Sequence, residues 1–184
     1  VHLSQPEFDP KGEYYVMSYA GATALAFRYH SSREEIEAYR TGQEVFSEFE
    51  EMCFYDSSFI QTPGGTERFL GAFISSGVLR LIGAKPMEGL GRLFTPEDDV
   101  DGAAPVALLS QHMWENNYAS DPDIVGKTMS VQGNLMTIVG VMPRSFRFPN
   151  DQDLWMSYGA TPNSSYNPRR DALVKLKPGV SRER

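Results

Sequence analysis

The chain has 184 residues, of which 41% are hydrophobic and 12% aromatic, enough for one good core or two small ones and unlike a disordered chain. Its 17 Lys and Arg against 24 Asp and Glu give a net charge of −7 and a pI near 5.0, which opposes sequence-independent binding to nucleic-acid phosphates or anionic lipid. Cys53 is the sole cysteine, so the chain can form neither an internal disulfide nor a thiolate metal site, and no run reaches the about 18 apolar residues of a membrane span.

In chain order, a polar, proline-bearing leader precedes a strand predicted over residues 14–19, and residues 20–26 are small and carry no clear pattern. Ser31 and Ser32 each have a glutamate three residues on, Glu34 and Glu35, a capping-box spacing that predicts a helix start. Ile36, Tyr39, Phe46 and Phe49 continue at helical spacing, with Gly42 as a weak point. Glu34, Glu35, Glu37, Glu44, Glu48, Glu50 and Glu51 against Arg33 and Arg40 predict a solvated helix face. A strand over 52–61 would complete a β-α-β unit spanning 14–61.

Thr62-Pro63-Gly64-Gly65 is a turn cluster and a candidate subdomain boundary. After it the pattern predicts a strand over 68–74, a short apolar helix over 78–82 and a loop holding Pro86, Gly89 and Gly91. Thr95-Pro96-Glu97-Asp98 reads as a helix start or acidic turn. A strand over 105–110 and a helix over 111–118 with Met113 and Trp114 inward follow. Residues 128–132 and 135–139 predict a hairpin turning at Gly133 and Asn134. In that register Val131 faces Met136 and Met129 faces Ile138, with Ser130 and Thr137 on the other side. Pro143 closes the hairpin, Phe146-Arg147-Phe148-Pro149 exits to a polar loop, and strands over 154–158 and 172–176 end the series. Strands and helices in this succession, with a hairpin, predict an α+β fold rather than a doubly wound parallel sheet.

Gly126-Lys127-Thr128 opens like a nucleotide-binding loop, but the position that loop reserves for its first glycine is Asp121, followed by Pro122. A carboxylate there repels phosphate, and proline removes an N–H donor. His2, His30 and His112 have no second His or Cys at metal-ligand spacing. His112, beside Trp114, reads as a structural ring, and Cys53 as a small buried hydrophobe. Asp98, Asp99 and Asp101, with Glu97, are the densest carboxylate group. They lack the calcium-loop spacing and read as a solvated acidic loop. No catalytic, cofactor-binding or metal-ligating residue is assigned; a hydrolase built on Asp98, Asp99 and Asp101 is the enzymatic alternative.

One ordered succession remains: Gly83-Ala84-Lys85-Pro86, Gly91-Arg92-Leu93-Phe94, 105–110 with Trp114, 121–128, Gly133, 138–143, 146–149, Asp153-Leu154-Trp155 and 176–181. In this order the pieces resemble the periplasmic core domain of MacB-like ABC transporter permeases, the group that includes FtsX-like and lipoprotein-releasing permeases. The chain departs from the family's pattern at Val78 and Leu79, where an aromatic pair is common, and at Ser157, where proline is common.

The resemblance implies an α+β architecture of two parts: a porter-like portion from residues 1–62 and 150–184, and an inserted small β-rich, Sabre-like subdomain over 63–149. It implies one transmembrane helix before the domain and three after it, an expectation that suits a start at Val1 and an ending at Ser181-Arg182-Glu183-Arg184, where Ser181 is a candidate helix N-cap after Pro178-Gly179. It also implies a noncatalytic, periplasmic part of an inner-membrane protein, without a cofactor. Its partners would be its own transmembrane helices, a cytoplasmic ABC ATPase and a periplasmic adaptor or envelope protein, with room for a homodimer of the full-length protein and none for nucleic acid. The alternative is a soluble extracytoplasmic ligand-binding or sensory module using the cleft between the two parts.

Overall fold

A computed structural model describes the backbone of residues 7–8, 14–19, 22–29, 46–149, 151–160 and 170–176, and the side chains of 47–52, 59–149, 151–160 and 172–175. The described elements are β1 (Glu7–Phe8), β2 (Tyr14–Tyr19), β3 (Ala22–Tyr29), β4 (Phe46–Thr62), β5 (Gly65–Ile74), α1 (Ser76–Leu81), β6 (Val106–Ser110), α2 (Gln111–Asn117), β7 (Thr128–Val131), β8 (Asn134–Met142), β9 (Leu154–Ser157) and β10 (Arg170–Leu176). Single 3-10 turns lie at Pro96–Asp99 and Tyr158–Ala160. Among the described residues the fold is mixed and sheet-rich, with few helices.

All ten strands belong to one sheet in the order β1-β2-β3-β10-β4-β5-β9-β6-β8-β7, and β7 pairs back onto β4. Strands β4, β5, β9, β6, β8 and β7 therefore close into a ring, while β1, β2, β3 and β10 extend from β4 as an open sheet. Most pairings are antiparallel; β5–β9 and β6–β8 are parallel. β4 serves both parts, since its first half pairs with β10 and β5 and its last residues with β5 and β7. A bulge between Tyr55 and Ser58 lies between these two halves and bends the strand.

The first strand of the predicted β-α-β unit is followed by a second, β3, before the stretch predicted as helix, and that stretch lies largely outside the described residues. β2 and β3 make an antiparallel hairpin, and β3 and β4 run parallel with β10 antiparallel between them. The predicted helix start at Ser31 and Ser32, with Ile36, Tyr39 and Gly42, lies outside the described residues, but its expected end at Phe46 and Phe49 is strand. Tertiary context overrides local preference here, because β10 pairs with this stretch and supplies ladder partners to residues that a lone segment would coil. Residues 22–26 escaped assignment because alanine is depleted in strands, yet β3 lies between β2 and β10 and runs through them.

Two apolar clusters fill the two faces of the sheet. Ile60, Phe69, Phe73, Ala107, Leu109, Met129, Val131, Met136, Ile138, Val141, Leu154 and Met156 come from all six ring strands and form the ring interior, with Met113 of α2 and Ile124 added. The alternate residues Ala72, Ile74, Val106, Leu108, Val139, Met142 and Trp155 face outward. They are covered by Val78, Leu79 and Ile82 of the α1 segment and by Phe94, Phe146 and Phe148. Met52 of β4 and Leu173 of β10 join that second cluster, so one core spans the ring and the open sheet. Strands buried on both faces, such as β6 and β9, read as continuous apolar runs rather than alternating ones.

Phe146 and Phe148 belong to the segment predicted to exit to a polar loop, where the sequence pattern assigns them no burial. Both are buried, and Phe146 meets Trp155 edge-on at 4.9 Å between ring centroids. The Trp155 indole N–H donates to the Phe148 carbonyl at 2.6 Å, and the Phe148-Pro149 peptide is cis.

The β7–β8 hairpin forms with a shifted register. Met129 pairs with Met136 and Val131 with Asn134, so Gln132 and Gly133 are the central turn residues. Both have positive φ, 50° and 83°, as a type I′ turn requires. Glycine takes the second turn position, and the slide of two residues preserves every facing because side chains alternate with period two. Met129, Val131, Met136 and Ile138 remain on one buried side as expected.

The segment over 87–92 lies along the far half of β8, with Met87 N–H donating to the Val141 carbonyl and Arg92 N–H to the Val139 carbonyl, both at 2.8 Å. Gly91 and Gly140 cross here: a Cβ on Gly140 would fall 2.6 Å from the Arg92 carbonyl oxygen, and one on Gly91 2.1 Å from that of Val139. Gly140→Ala is expected to cost about 2 kcal/mol through forced separation of two backbones, measured as a lower midpoint in urea with an unchanged slope.

Candidate functional site

The sequence analysis assigns no site residue; the densest polar structure among the described residues is the junction where β4 meets α1 and the two 3-10 turns. α1 has six residues, too few to stand alone, and each end is held. At its start the Ser75 hydroxyl accepts from the Val78 N–H at 3.2 Å, and the Asp99 carboxylate accepts from the Ser76 N–H at 2.8 Å. The Ser75 hydroxyl donates to Glu50 at 3.0 Å. Glu50 lies so close to the helix that a Cβ on Gly77 would fall 1.9 Å from its carboxyl carbon. At the far end Arg80 reaches back to Glu48 at 2.5 Å and Glu50 at 3.4 Å.

Glu48 and Glu50 share a face of β4, opposite Lys175 and Leu173 of β10. Lys175 adds a second cation to Glu48 at 3.2 Å. Burial alone would raise the Glu48 carboxyl, but Arg80 and Lys175 outweigh it and hold it below its ordinary value. Glu51, on the other face, is buried and accepts a hydrogen bond from the Tyr158 hydroxyl. The expectation of a solvated acidic helix face is thus replaced at Glu48, Glu50 and Glu51 by a paired set on a strand; Glu34, Glu35, Glu37 and Glu44 lie outside the described residues.

The carboxylates expected as a solvated acidic loop are divided by their surroundings. Asp98 is buried, paired with Arg92 at 2.6 and 3.3 Å, and accepts from the Thr95 N–H at 2.8 Å and hydroxyl at 3.2 Å. Burial pushes its carboxyl up, and Arg92 with Thr95 more than reverses that. Asp99 caps α1, and burial raises it above the ordinary carboxylate value despite the partial offset from Ser76. Gly159 lets the second 3-10 turn approach the first, since a Cβ there would lie 2.4 Å from the Val100 carbonyl oxygen. Among the described residues no group of three His, Cys, Asp or Glu is placed to hold a metal ion.

The loop that opens like a nucleotide site has its donors engaged. The Asp123 N–H donates to the Asp121 carboxylate at 2.9 Å, Ile124 N–H to the Asp121 carbonyl at 3.3 Å, Gly126 N–H to the Ile138 carbonyl at 2.8 Å and Lys127 N–H to the Ile124 carbonyl at 3.2 Å. The Lys127 ammonium pairs with Asp121, the very residue that replaces the nucleotide-loop glycine. The Trp114 indole donates to the Asp121 carbonyl at 2.8 Å and fastens this loop to α2. Met113 is fully buried as expected, and Trp114 packs partly buried against the ring interior. His112 is on the exposed side of α2, with its ring 2.9 Å from the Asn116 amide. His2 and His30 lie outside the described residues, as does the side chain of Cys53.

Solved structures place the fold in a known class. The periplasmic region of MacB from Actinobacillus actinomycetemcomitans superposes with a TM-score of 0.67 over 86% of this chain and 76% of that one, at 17% identity. The extracellular domain of the noncanonic ABC-type transporter YknZ from Gram-positive bacteria gives 0.65 over 84% and 75%, at 16% identity. A domain of a putative permease protein from Porphyromonas gingivalis gives 0.56 over 79% and 62%, at 19% identity. No curated protein sequence matches the chain. The fold is that of extracytoplasmic domains of transporter permeases. The model of the MacB-like periplasmic core domain matches residues 5–184, and the chain belongs to that family. Among the described residues no helix is long and apolar enough to cross a membrane.

Sequence reasoning missed the junction because its residues are scattered over 48–51, 75–80, 95–99 and 158. A weak signal existed in Arg80, a lone cation in an apolar helix. The adjacent aspartates give opposite expectations. Asp98 has a lowered carboxyl, so its stabilisation is present above the unfolded-state pKa and is lost as pH falls through the folded-state value. Asp98→Asn is expected to cost about 2 kcal/mol at neutral pH, with the cost shrinking in strong acid. Asp99 is raised, so its charged form is a penalty relieved on acidification. Asp99→Asn mimics the protonated group and is expected to raise Tm at neutral pH, with the gain fading as pH falls through the raised value. Thermal melts of both variants across pH check the signs.

Proposed function

We propose that the domain is the noncatalytic mechanical relay of an ABC transporter permease on the extracytoplasmic side of the membrane. A cytoplasmic ABC ATPase domain or subunit hydrolyses ATP, the permease's own transmembrane helices carry the motion across, and this domain converts it into substrate export or action on a periplasmic adaptor or envelope partner. The full-length protein would work as a homodimer. The observation that carries the reading is the continuity of β4: one strand of 17 residues belongs to both the open sheet and the ring, so displacement of either part is felt by the other.

The same reading divides the chain into a porter-like portion, 1–62 and 150–184, and a Sabre-like insert, 63–149. The turn at Thr62–Gly65 supports that boundary, since Thr62 and Gly65 pair across it. β9, from the porter-like portion, lies between β5 and β6 of the insert and ties the two together. The committed backbone donors of 121–128 support a domain that binds no nucleotide, and the engaged carboxylates at Asp98 and Asp99 support one without hydrolytic chemistry.

The test uses spin labels at Lys175→Cys in β10 and Leu135→Cys in β8, both exposed positions, in the full-length permease with its ATPase and Cys53→Ser. The distance distribution is expected to shift between nucleotide-free, ATP-bound and vanadate-trapped states. Identical distributions in all three would refute an internal relay.

A further inference from the structure

We infer that the β4–β7 contact is a latch, the one line along which the ring opens while its other ladders stay intact. The closure is slight. β7 has four residues, of which Val131 and Ser130 pair with Ile60 and Gln61 of β4. One further bond, from the Gln132 N–H at the hairpin turn to the Phe59 carbonyl at 2.8 Å, completes the contact. The β4 bulge at Tyr55 to Ser58 lies directly before it, where the strand already departs from regular geometry.

The seam is also buttressed from one side alone. Behind it the ring interior is packed, with Ile60 and Val131 buried. In front of it Phe59 is 60% exposed and Leu135 67% exposed. The opposite wall of the ring, at β5, β9 and β6, carries buried side chains on both faces. Local opening follows the ladder with fewest buried contacts and most exposed hydrogen bonds, and that ladder is this one.

The interior behind the seam suits movement. Four of the chain's eight methionines, Met113, Met129, Met136 and Met156, lie there. Their unbranched thioether side chains repack at little cost, unlike branched or aromatic ones. Opening swings the β7–β8 hairpin away from β4 at its turn, while the parallel β6–β8 ladder holds its base. The use of the latch rests on the relay reading, because a ring that opens lets the insert yield to a pull on β4; its existence does not.

Hydrogen–deuterium exchange on this chain tests it. The amides of Gln132 and Ser130, on the β4 side of the hairpin, are expected to exchange at least about a hundredfold faster than those of Leu108 and Leu109 in β6, through a sub-global opening. A disulfide across the seam, Gln61→Cys with Ser130→Cys in a Cys53→Ser background, joins antiparallel partners whose Cα atoms are about 4.5–5.5 Å apart, within disulfide reach. Its oxidation should slow the hairpin amides towards the β6 rate. A control disulfide inside the hairpin, Thr128→Cys with Thr137→Cys, should leave their exchange fast. Equal protection of seam and β6 in the unmodified chain, or unchanged hairpin exchange after the seam is locked, overturns the latch. Either result leaves the relay to be judged by the label distances alone.

Discussion

Residues 46–62 run as one strand through both the ring and the open part of a single sheet, and the remaining architecture is arranged around that constraint. A strand has two edges, so β4 can serve a ring and an open sheet only by changing neighbours along its length. It gives its first half to β10 and its last residues to β7, with β5 on its other edge from Met52 to Thr62. Met52 then enters the core shared by both parts and Ile60 enters the ring. The bulge between them lets the strand change direction without leaving the sheet.

Charge follows from this geometry. The first half of β4 carries Glu48, Glu50 and Glu51 because its faces meet α1, β10 and the second 3-10 turn rather than solvent. Magnitudes decide what holds α1 in place. Arg80 is 62% exposed, and an exposed ion pair contributes about 0–1 kcal/mol. Burying Val78, Leu79 and Ile82, each at most 2% exposed, contributes about 1.5–3 kcal/mol apiece. The apolar face therefore supplies the stability, and the carboxylates around Ser75 and Ser76 orient a helix that is too short to orient itself.

Much of this was legible in the residues. The short strands and both helices appeared near their observed positions, because caps such as Ser110 and apolar runs such as 106–109 are local signals. The ordered motifs pointed to the family, and the structure explains why they carry weight: Gly91 and Gly140 touch, Arg92 pairs with Asp98, and Phe146, Phe148 and Trp155 pack together. Illegible parts depended on distant partners. Phe46 to Glu51 looks helical until β10, more than a hundred residues later, pairs with it. The turn at Gln132 and Gly133 was displaced by one position because glycine fits either central place, and only the pairing of Val131 with Asn134 decides between them. No local pattern distinguishes a solvated glutamate from one that meets Tyr158.

The position of β9 and β10 bears on how the domain is made. Each enters the sheet between strands that precede it in the chain, β9 between β5 and β6, and β10 between β3 and β4. Until residues 154–157 and 170–176 have emerged, those four earlier strands present bare edges, and bare edges invite pairing with other chains. Neither neighbour pair can be brought together early, because the space between them belongs to sequence still to come. For a domain that completes itself outside the cytoplasm, the final fifth of the chain acts as a keystone. Biogenesis is consequently most exposed to misassembly and proteolysis just before that keystone arrives.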